Sequence, residues 1–486
     1  VCKKRIGIIN MKLIKNYLYN VGYQIFILII PLITVPYVSR VLGSEGVGIN
    51  AYTNSIISYF VLFGSIGINL YGNRTIAYVR DDERKLSDIF WEIAFLRIVF
   101  IFISYLIFLL FLFLTNKYHE FYLFQSILII AAGVDISWFF MGMEDFKKTV
   151  LRNIFVKIIS LIAIFLFVKT VNDLGPYILI LSVSTLLGNL TLWPYLSSFV
   201  RKPNFYQLNL RKHLIPSLSL FIPQIATQIY LVLNKTMLGY MTGVQNSGYY
   251  ENTDKLVKIV LAIVTATGTV MLPRMANTFS KGELNQVSSY VRQSFDFVSA
   301  ICFPMAFGLA AIAPKFSIWF FGDEFAITGN LIPILCIVIV FIGWSNVLGT
   351  QYLLPTNQTK YFTFSVTTGA VVNIFLNIIL INKFEVYGAV IATVISEIFV
   401  TVVQIIYVKK NISILALFNG IWKYFILGLI MFIIVRILNT MMSSNFISFL
   451  TQAIIGLLFY FFGCIFFKVP IVKQCKSFLD KKKMHK

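Results

Sequence analysis

Apolar residues fill this chain in long blocks rather than in short alternating runs. Blocks of about 20 residues, each enough to cross a hydrocarbon core of roughly 30 Å, fall near 17–38, 48–72, 89–114, 121–141, 153–172, 175–198 and 214–237. They continue near 248–273, 293–321, 329–353, 362–381, 388–408, 420–439 and 447–467. The pattern predicts an all-α integral membrane protein with about fourteen transmembrane helices. An even number of crossings puts both termini on one side.

The polar positions between the blocks orient them. Lys3, Lys4, Arg5, Arg74, Arg80, Arg84, Lys85, Lys147, Lys148, Arg201, Lys202, Arg211, Lys212, Lys409, Lys410 and the tail after Lys468 all fall on one side of the predicted topology. The other side has Arg40, Lys117, Lys169 and Lys383. Basic loops stay in the cytoplasm, so the termini are expected there. Val1-Cys-Lys-Lys-Arg precedes Met11, a second candidate start. The first block runs on as a span and has no signal-peptide cleavage pattern.

Composition supports this picture. The 486 residues are 58% hydrophobic and 13% charged, against about 25% charged in soluble domains. The net charge of +21 is then a topology signal, and nucleic acid is not an expected partner. The five cysteines form no CxxC, and His119, His213 and His485 are far apart, so neither a disulfide framework nor a metal site is expected. No nucleotide-binding or hydrolase motif is present, and no cofactor is expected. External loops are too short to hold a soluble domain.

The informative polar residues lie inside the blocks. Glu251, Asp254, Lys255 and Lys258 open the eighth span, and the spacings 251→255 and 254→258 put them on one broad face. Lys258 is ten residues past Gly248, about 15 Å along a helix rising 1.5 Å per residue, so it needs an anion there. Charge inside a bilayer usually faces a bundle interior or a water-filled path, and this face points to a transporter. A repeat is also visible. Gly48, Thr53 and Asn54 stand opposite Gly248, Thr253 and Asp254, with six spans between the copies. An even separation predicts parallel halves related by an axis along the membrane normal.

The stretches Asn16-Tyr-Leu-Tyr-Asn-Val, Pro31-Leu-Ile-Thr-Val-Pro-Tyr-Val-Ser-Arg-Val-Leu-Gly-Ser-Glu-Gly-Val-Gly48, Leu70-Tyr-Gly-Asn-Arg-Thr-Ile-Ala-Tyr-Val-Arg-Asp-Asp82 and Gly248-Tyr-Tyr-Glu-Asn-Thr-Asp-Lys255 resemble Wzx-type polysaccharide repeat-unit flippases. These belong to the multidrug/oligosaccharidyl-lipid/polysaccharide exporter superfamily. The resemblance implies two six-helix lobes around a central cavity, here residues 1–213 and 214–410, with a final helix pair and basic tail over 411–486. It implies a cargo, an undecaprenyl-diphosphate-linked oligosaccharide moved from the cytoplasmic to the outer leaflet for capsular or surface polysaccharide. The lipid bilayer and a polysaccharide polymerase are the other candidate partners.

Such a cargo needs cations for its diphosphate and amides for its sugars. The candidates are Arg40, Lys235, Lys255 and Lys258 for the diphosphate, and Asn50, Asn54, Asn69 and Asn252 for the glycan. Helix–helix hydrogen bonding is the alternative role for the asparagines, and snorkelling to the interface is the alternative for Arg40. Glu251, Asp254 and Arg74 are candidate cavity or gating charges. Glu397 and Asp135 are candidate coupling-ion ligands. Asp135 has a competing role as the structural partner of Arg97 at a similar depth, and Glu397 as the partner of Arg436. Pro223, Pro273, Pro304 and Pro333 are candidate kinks.

Two other readings are weighed against the flippase. A cation-coupled drug or small-molecule antiporter calls for intramembrane carboxylates in both lobes, which Asp135 and Glu397 supply. A membrane polymerase or glycosyltransferase calls for a sizeable external loop with carboxylates, which the sequence lacks. The protein is read as a transporter and not an enzyme.

Overall fold

A computed structural model describes residues 2–203 and 208–472. The tail from Lys473, with Cys475 and His485, lies outside the described residues, as do the side chains of residues 2–25 and of Pro223. All regular structure among the described residues is helical. In order the helices are α1 Cys2–Ser65, α2 Ile68–Val79, α3 Glu83–Leu114, α4 His119–Gly133, α5 Ser137–Gly142, α6 Phe146–Phe167, α7 Leu174–Leu190, α8 Trp193–Leu196 and α9 Arg211–Met241. There follow α10 Val244–Ser280, α11 Leu284–Phe321, α12 Thr328–Leu335, α13 Ile337–Ser345, a π-helix Asn346–Leu353, α14 Thr359–Val408, α15 Ile414–Phe418, α16 Ile421–Met441 and α17 Phe446–Phe466.

Among the described residues, eleven helical segments are long and apolar enough to cross a membrane. Two of these are double. Leu28–Val79 is broken at Gly43 (φ 66°), and Thr359–Val408 is broken at Glu385 (φ 49°). The seventh predicted span falls on α9, so all fourteen blocks fall mainly on helix. Several predicted spans are interrupted where the hydrophobic pattern runs on. The second is cut at Ile66 and Gly67, both at positive φ. The fourth unwinds between Gly133 and Ser137, and the tenth passes through three helical pieces. A windowed hydropathy reading averages over these breaks, because each is only a few residues long and, Asp135 apart, the residues at the first two are apolar or small.

Gly67 shows why the second span must break. Its φ of 73° suits glycine. A Cβ there would come within 2.8 Å of the Ser217 carbonyl oxygen on α9. Backbone approach this close requires hydrogen as the side chain, and the resulting turn re-aims α2.

The chain divides into two compact units, Val1–Gly239 and Tyr240–Lys486. The seventh span thus belongs with the first unit. Its attachment is polar and close: Thr236 Oγ1 lies 2.7 Å from Ser55 Oγ and 3.1 Å from Tyr59 OH.

The core of the first unit is aromatic. Phe90 stacks on Trp138 at 5.5 Å between centroids and meets Phe139 edge-on at 5.1 Å. On the opposite side of α3, Phe102, Leu106, Leu110 and Phe113 are exposed, as expected of a lipid-facing surface. Lipid is as apolar as those side chains, so helix association rests on packing and interhelical hydrogen bonds. Ser104 Oγ donates to the Phe60 carbonyl at 2.7 Å, and Asn189 Nδ2 to the Ala131 carbonyl at 2.7 Å. In the second unit Thr401 Oγ1 donates to the Phe341 carbonyl at 2.9 Å, and Lys315 Nζ caps the end of α16 through the Met442 carbonyl at 2.7 Å.

The sequence repeat has a local structural counterpart in each unit. Gly43 and Gly243 both take positive φ, each five residues before the matched Gly48 and Gly248. Thr53 and Thr253 are both fully buried, and each donates to the carbonyl four residues back, Ile49 and Tyr249, at 2.7 Å. The copies differ further on, since α10 runs through to Ser280 whereas α1 ends at Ser65.

Candidate functional site

Two polar clusters stand inside otherwise apolar helices, one in each unit.

In the second unit, α10 begins after Gly243 and carries the four charges over its next turns. Lys255 Nζ lies 2.9 Å from Glu251 Oε1, and Lys258 Nζ 2.6 Å from Asp254 Oδ2. The i,i+4 spacing is what pairs them. The members are unequally accessible. Glu251 and Asp254 side chains are 13% and 14% exposed, whereas Lys255 and Lys258 are 37% and 46% exposed. The carboxylates are held back and the ammonium groups stand forward. Glu397 on α14 also acts electrostatically on Lys258, as does Glu251. Asp254 is thus the hydrogen-bonded partner of Lys258, with two further carboxylates acting on it at longer range. Arg436, the other partner considered for Glu397, donates to the Ala311 carbonyl at 3.3 Å.

In the first unit, a cavity of about 490 Å³ is lined by Asn54, Ser58, Tyr59, Asn69, Arg97, Asp135, Thr185, Asn189 and Gln228 over an apolar floor that includes Ile57, Leu128 and Val232. Arg97 is 2% exposed. Its Nη1 donates to Asn69 Oδ1 at 2.8 Å. Its Nη2 is 3.8 Å from Asp135 Oδ2, an ion pair longer than a hydrogen bond. Its Nε is buried without a partner among the described residues. Asp135 sits in the unwound link between α4 and α5 and accepts from the Ser137 backbone N–H at 2.9 Å.

The other predicted residues are dispersed. Asn50 Oδ1 accepts from Gln125 Nε2 at 3.0 Å, which is the helix–helix alternative. Asn252 is buried, Arg40 is exposed and Lys235 is half-buried two turns before the end of α9. Arg74 is exposed on α2, 6.0 Å from the centre of the Tyr71 ring. Neither Arg40 nor Arg74 lines the cavity of the first unit.

A third cluster escaped the sequence reading. Glu92, 2% exposed, lies 2.6 Å from Lys212 Nζ and 2.8 Å from His213 Nε2 through Oε2. Its Oε1 accepts from the Asn209 backbone N–H at 2.8 Å. The other imidazole nitrogen, Nδ1, lies 2.7 Å from Tyr71 OH. With Nε2–H donating to the carboxylate, Nδ1 accepts from the phenol. The cluster ties the start of α9 to α2 and α3. Glu92 was findable as a lone acid in an apolar block, but its partners lie more than a hundred residues away.

The helical bundle places the chain in a known class. Over 93% of this chain and 99% of the other, it superposes on lipid II flippase MurJ in an inward closed conformation, with a TM-score of 0.73 at 18% identity. An inward-facing multidrug resistance MATE transporter of the MOP superfamily matches 80% of this chain and 96% of its own, with a TM-score of 0.61 at 14% identity. The chain therefore shares the fold of these two transporters. A family model described as polysaccharide biosynthesis protein matches residues 13–279, more than half of the chain, and the chain belongs to that family. Among its relatives is an Escherichia coli (strain K12) protein named "Putative O-antigen transporter", 25% identical over 411 residues, covering 82% of this chain and 98% of the relative.

Proposed function

We propose that this protein is a flippase that moves a lipid-linked oligosaccharide from the cytoplasmic to the outer leaflet of the bacterial plasma membrane, for assembly of a surface or capsular polysaccharide. The carrier lipid in this reading is undecaprenyl diphosphate, and the two units work by alternating access. The observation that carries the reading is a joint one. The sequence belongs to a polysaccharide biosynthesis family over residues 13–279, while the fold matches a lipid flippase over 93% of the chain. The relatives are named as transporters and flippases, which supports a transport role over a synthetic one.

The α10 cluster supports an anionic headgroup. Its ammonium groups stand forward of its carboxylates, so an incoming diphosphate meets Lys255 and Lys258 first. Exchange of one anion for another at Lys258 keeps the ammonium paired throughout, which avoids the cost of an isolated charge in apolar surroundings. One observation favours the antiporter as a second reading. Counting Glu397, the cluster has three carboxylates for two ammonium groups, a surplus suited to a coupling cation.

Deletion of the gene in its own host tests the two. The flippase reading predicts loss of surface polymer with accumulation of complete lipid-linked repeat units. Normal polymer together with altered drug sensitivity would favour the antiporter.

A further inference from the structure

We propose that the cavity within the first unit is a sugar subsite, holding one uncharged sugar residue of the lipid-linked glycan away from its diphosphate. The inference rests on the flippase reading and names where, within one unit, the glycan is held.

Charge decides against a phosphate there. Arg97 and Asp135 are the charged residues lining the cavity, and they offset each other. A diphosphate would have to sit beside the Asp135 carboxylate with one guanidinium to compensate. A neutral hydroxyl-rich ligand has no such penalty, because each hydroxyl both donates and accepts.

The guanidinium points to an oxygen ligand. A buried arginine offers five N–H donors, yet Arg97 makes one hydrogen bond among the described residues, to Asn69. The nearest Asp135 oxygen is beyond hydrogen-bond range, and Nε has no partner among the described residues. Buried donors left unpaired are costly, and a hydroxyl acceptor drawn into the cavity relieves that cost. The lining shows the same preference. Asn54 and Gln228 present side-chain amides, and Tyr59 adds an aromatic wall. Amides beside an aromatic ring and an apolar floor match a pyranose, which has polar edges and C–H faces. The volume of about 490 Å³ is within the usual range of roughly 300–1,000 Å³ for small-molecule sites.

The test uses full-length protein in lipid nanodiscs and two probes. One is the free oligosaccharide released by mild acid from the host's own lipid-linked pool, which has neither lipid nor phosphate. The other is undecaprenyl diphosphate, which has no sugar. The double variant Asn54→Ala/Gln228→Ala keeps the buried ion pair and should fold. We expect it to weaken oligosaccharide binding tenfold or more while leaving undecaprenyl diphosphate binding within twofold. Arg97→Lys, which keeps the charge but loses the planar fork, should show the same selective loss. Unchanged oligosaccharide binding in both variants, or a wild type that binds only the diphosphate lipid, would overturn the subsite. Equal loss of both probes in well-folded variants would make the cavity a structural element. A wild type that binds neither probe would overturn the flippase reading itself, a result separable from the others.

Discussion

Lys258 Nζ lies 2.6 Å from Asp254 Oδ2, one helical turn away on α10, with the carboxylate 14% exposed and the ammonium 46% exposed. In the proposed cycle the lysine exchanges partners without withdrawing from the face. Lys258→Ala should abolish surface polymer at near-normal membrane protein levels, and Lys258→Arg should retain part of the activity. The double variant Asp254→Ala/Lys258→Ala separates substrate binding from structure. A binding lysine leaves it inactive, with lipid-linked units accumulating. Recovery of surface polymer would show that the pair is structural only.

Arg97 gives a prediction about folding. Removing either Arg97 or Asp135 leaves the other charge uncompensated inside the first unit, at a cost on the order of 3 kcal/mol. Arg97→Ala and Asp135→Ala should each reduce the yield of monodisperse protein in detergent. The swap Arg97→Asp/Asp135→Arg should recover part of it. Abundant, monodisperse single variants would contradict the buried pair.

Glu92 should behave as a fastener. Oε1 and Oε2 together bind Asn209, Lys212 and His213, and charge-assisted bonds contribute about 1.5–3 kcal/mol each. Glu92→Ala should lower the thermal midpoint of the purified protein more than Lys212→Ala does. Lys212 is half exposed and can be replaced by water, whereas His213 Nε2 and the Asn209 N–H would lose their acceptor. Equal midpoints for the two variants would contradict this ranking.

The fold was legible because the bilayer imposes length. Blocks long enough to span carry their own signal, and the paired charges of α10 followed from i,i+4 spacing. The first-unit cavity was only half legible. Arg97 and Asp135 were visible as charges at similar depth, but the amides around them come from α1, α2, α7 and α9, helices whose adjacency no local spacing encodes. Asn50 shows the limit: its type suited a sugar, and its neighbour Gln125, 75 residues on, took it as a helix–helix partner. Glu92 was missed for the same reason. Gly43 and Gly67 break their helices through backbone conformation, to which a hydropathy reading is blind.

The basic loops predict sidedness. In a background without the native cysteines, a cysteine at position 45, which is exposed just after the Gly43 break, should react with an impermeant maleimide in intact cells. A cysteine at position 82 should react only after permeabilisation. The reverse pattern would invert the topology and the direction of transport.

The most direct measurement is the leaflet in which the glycan resides. Spheroplasts carrying wild type or Lys258→Ala are treated with an impermeant glycosidase, and the lipid-linked repeat units are extracted and sized. The account predicts trimming of the units in wild-type spheroplasts, and intact, accumulated units in Lys258→Ala spheroplasts that are trimmed only after lysis. Equal trimming in intact spheroplasts of both strains would contradict it, because the glycan would then reach the outer leaflet without this protein's working site.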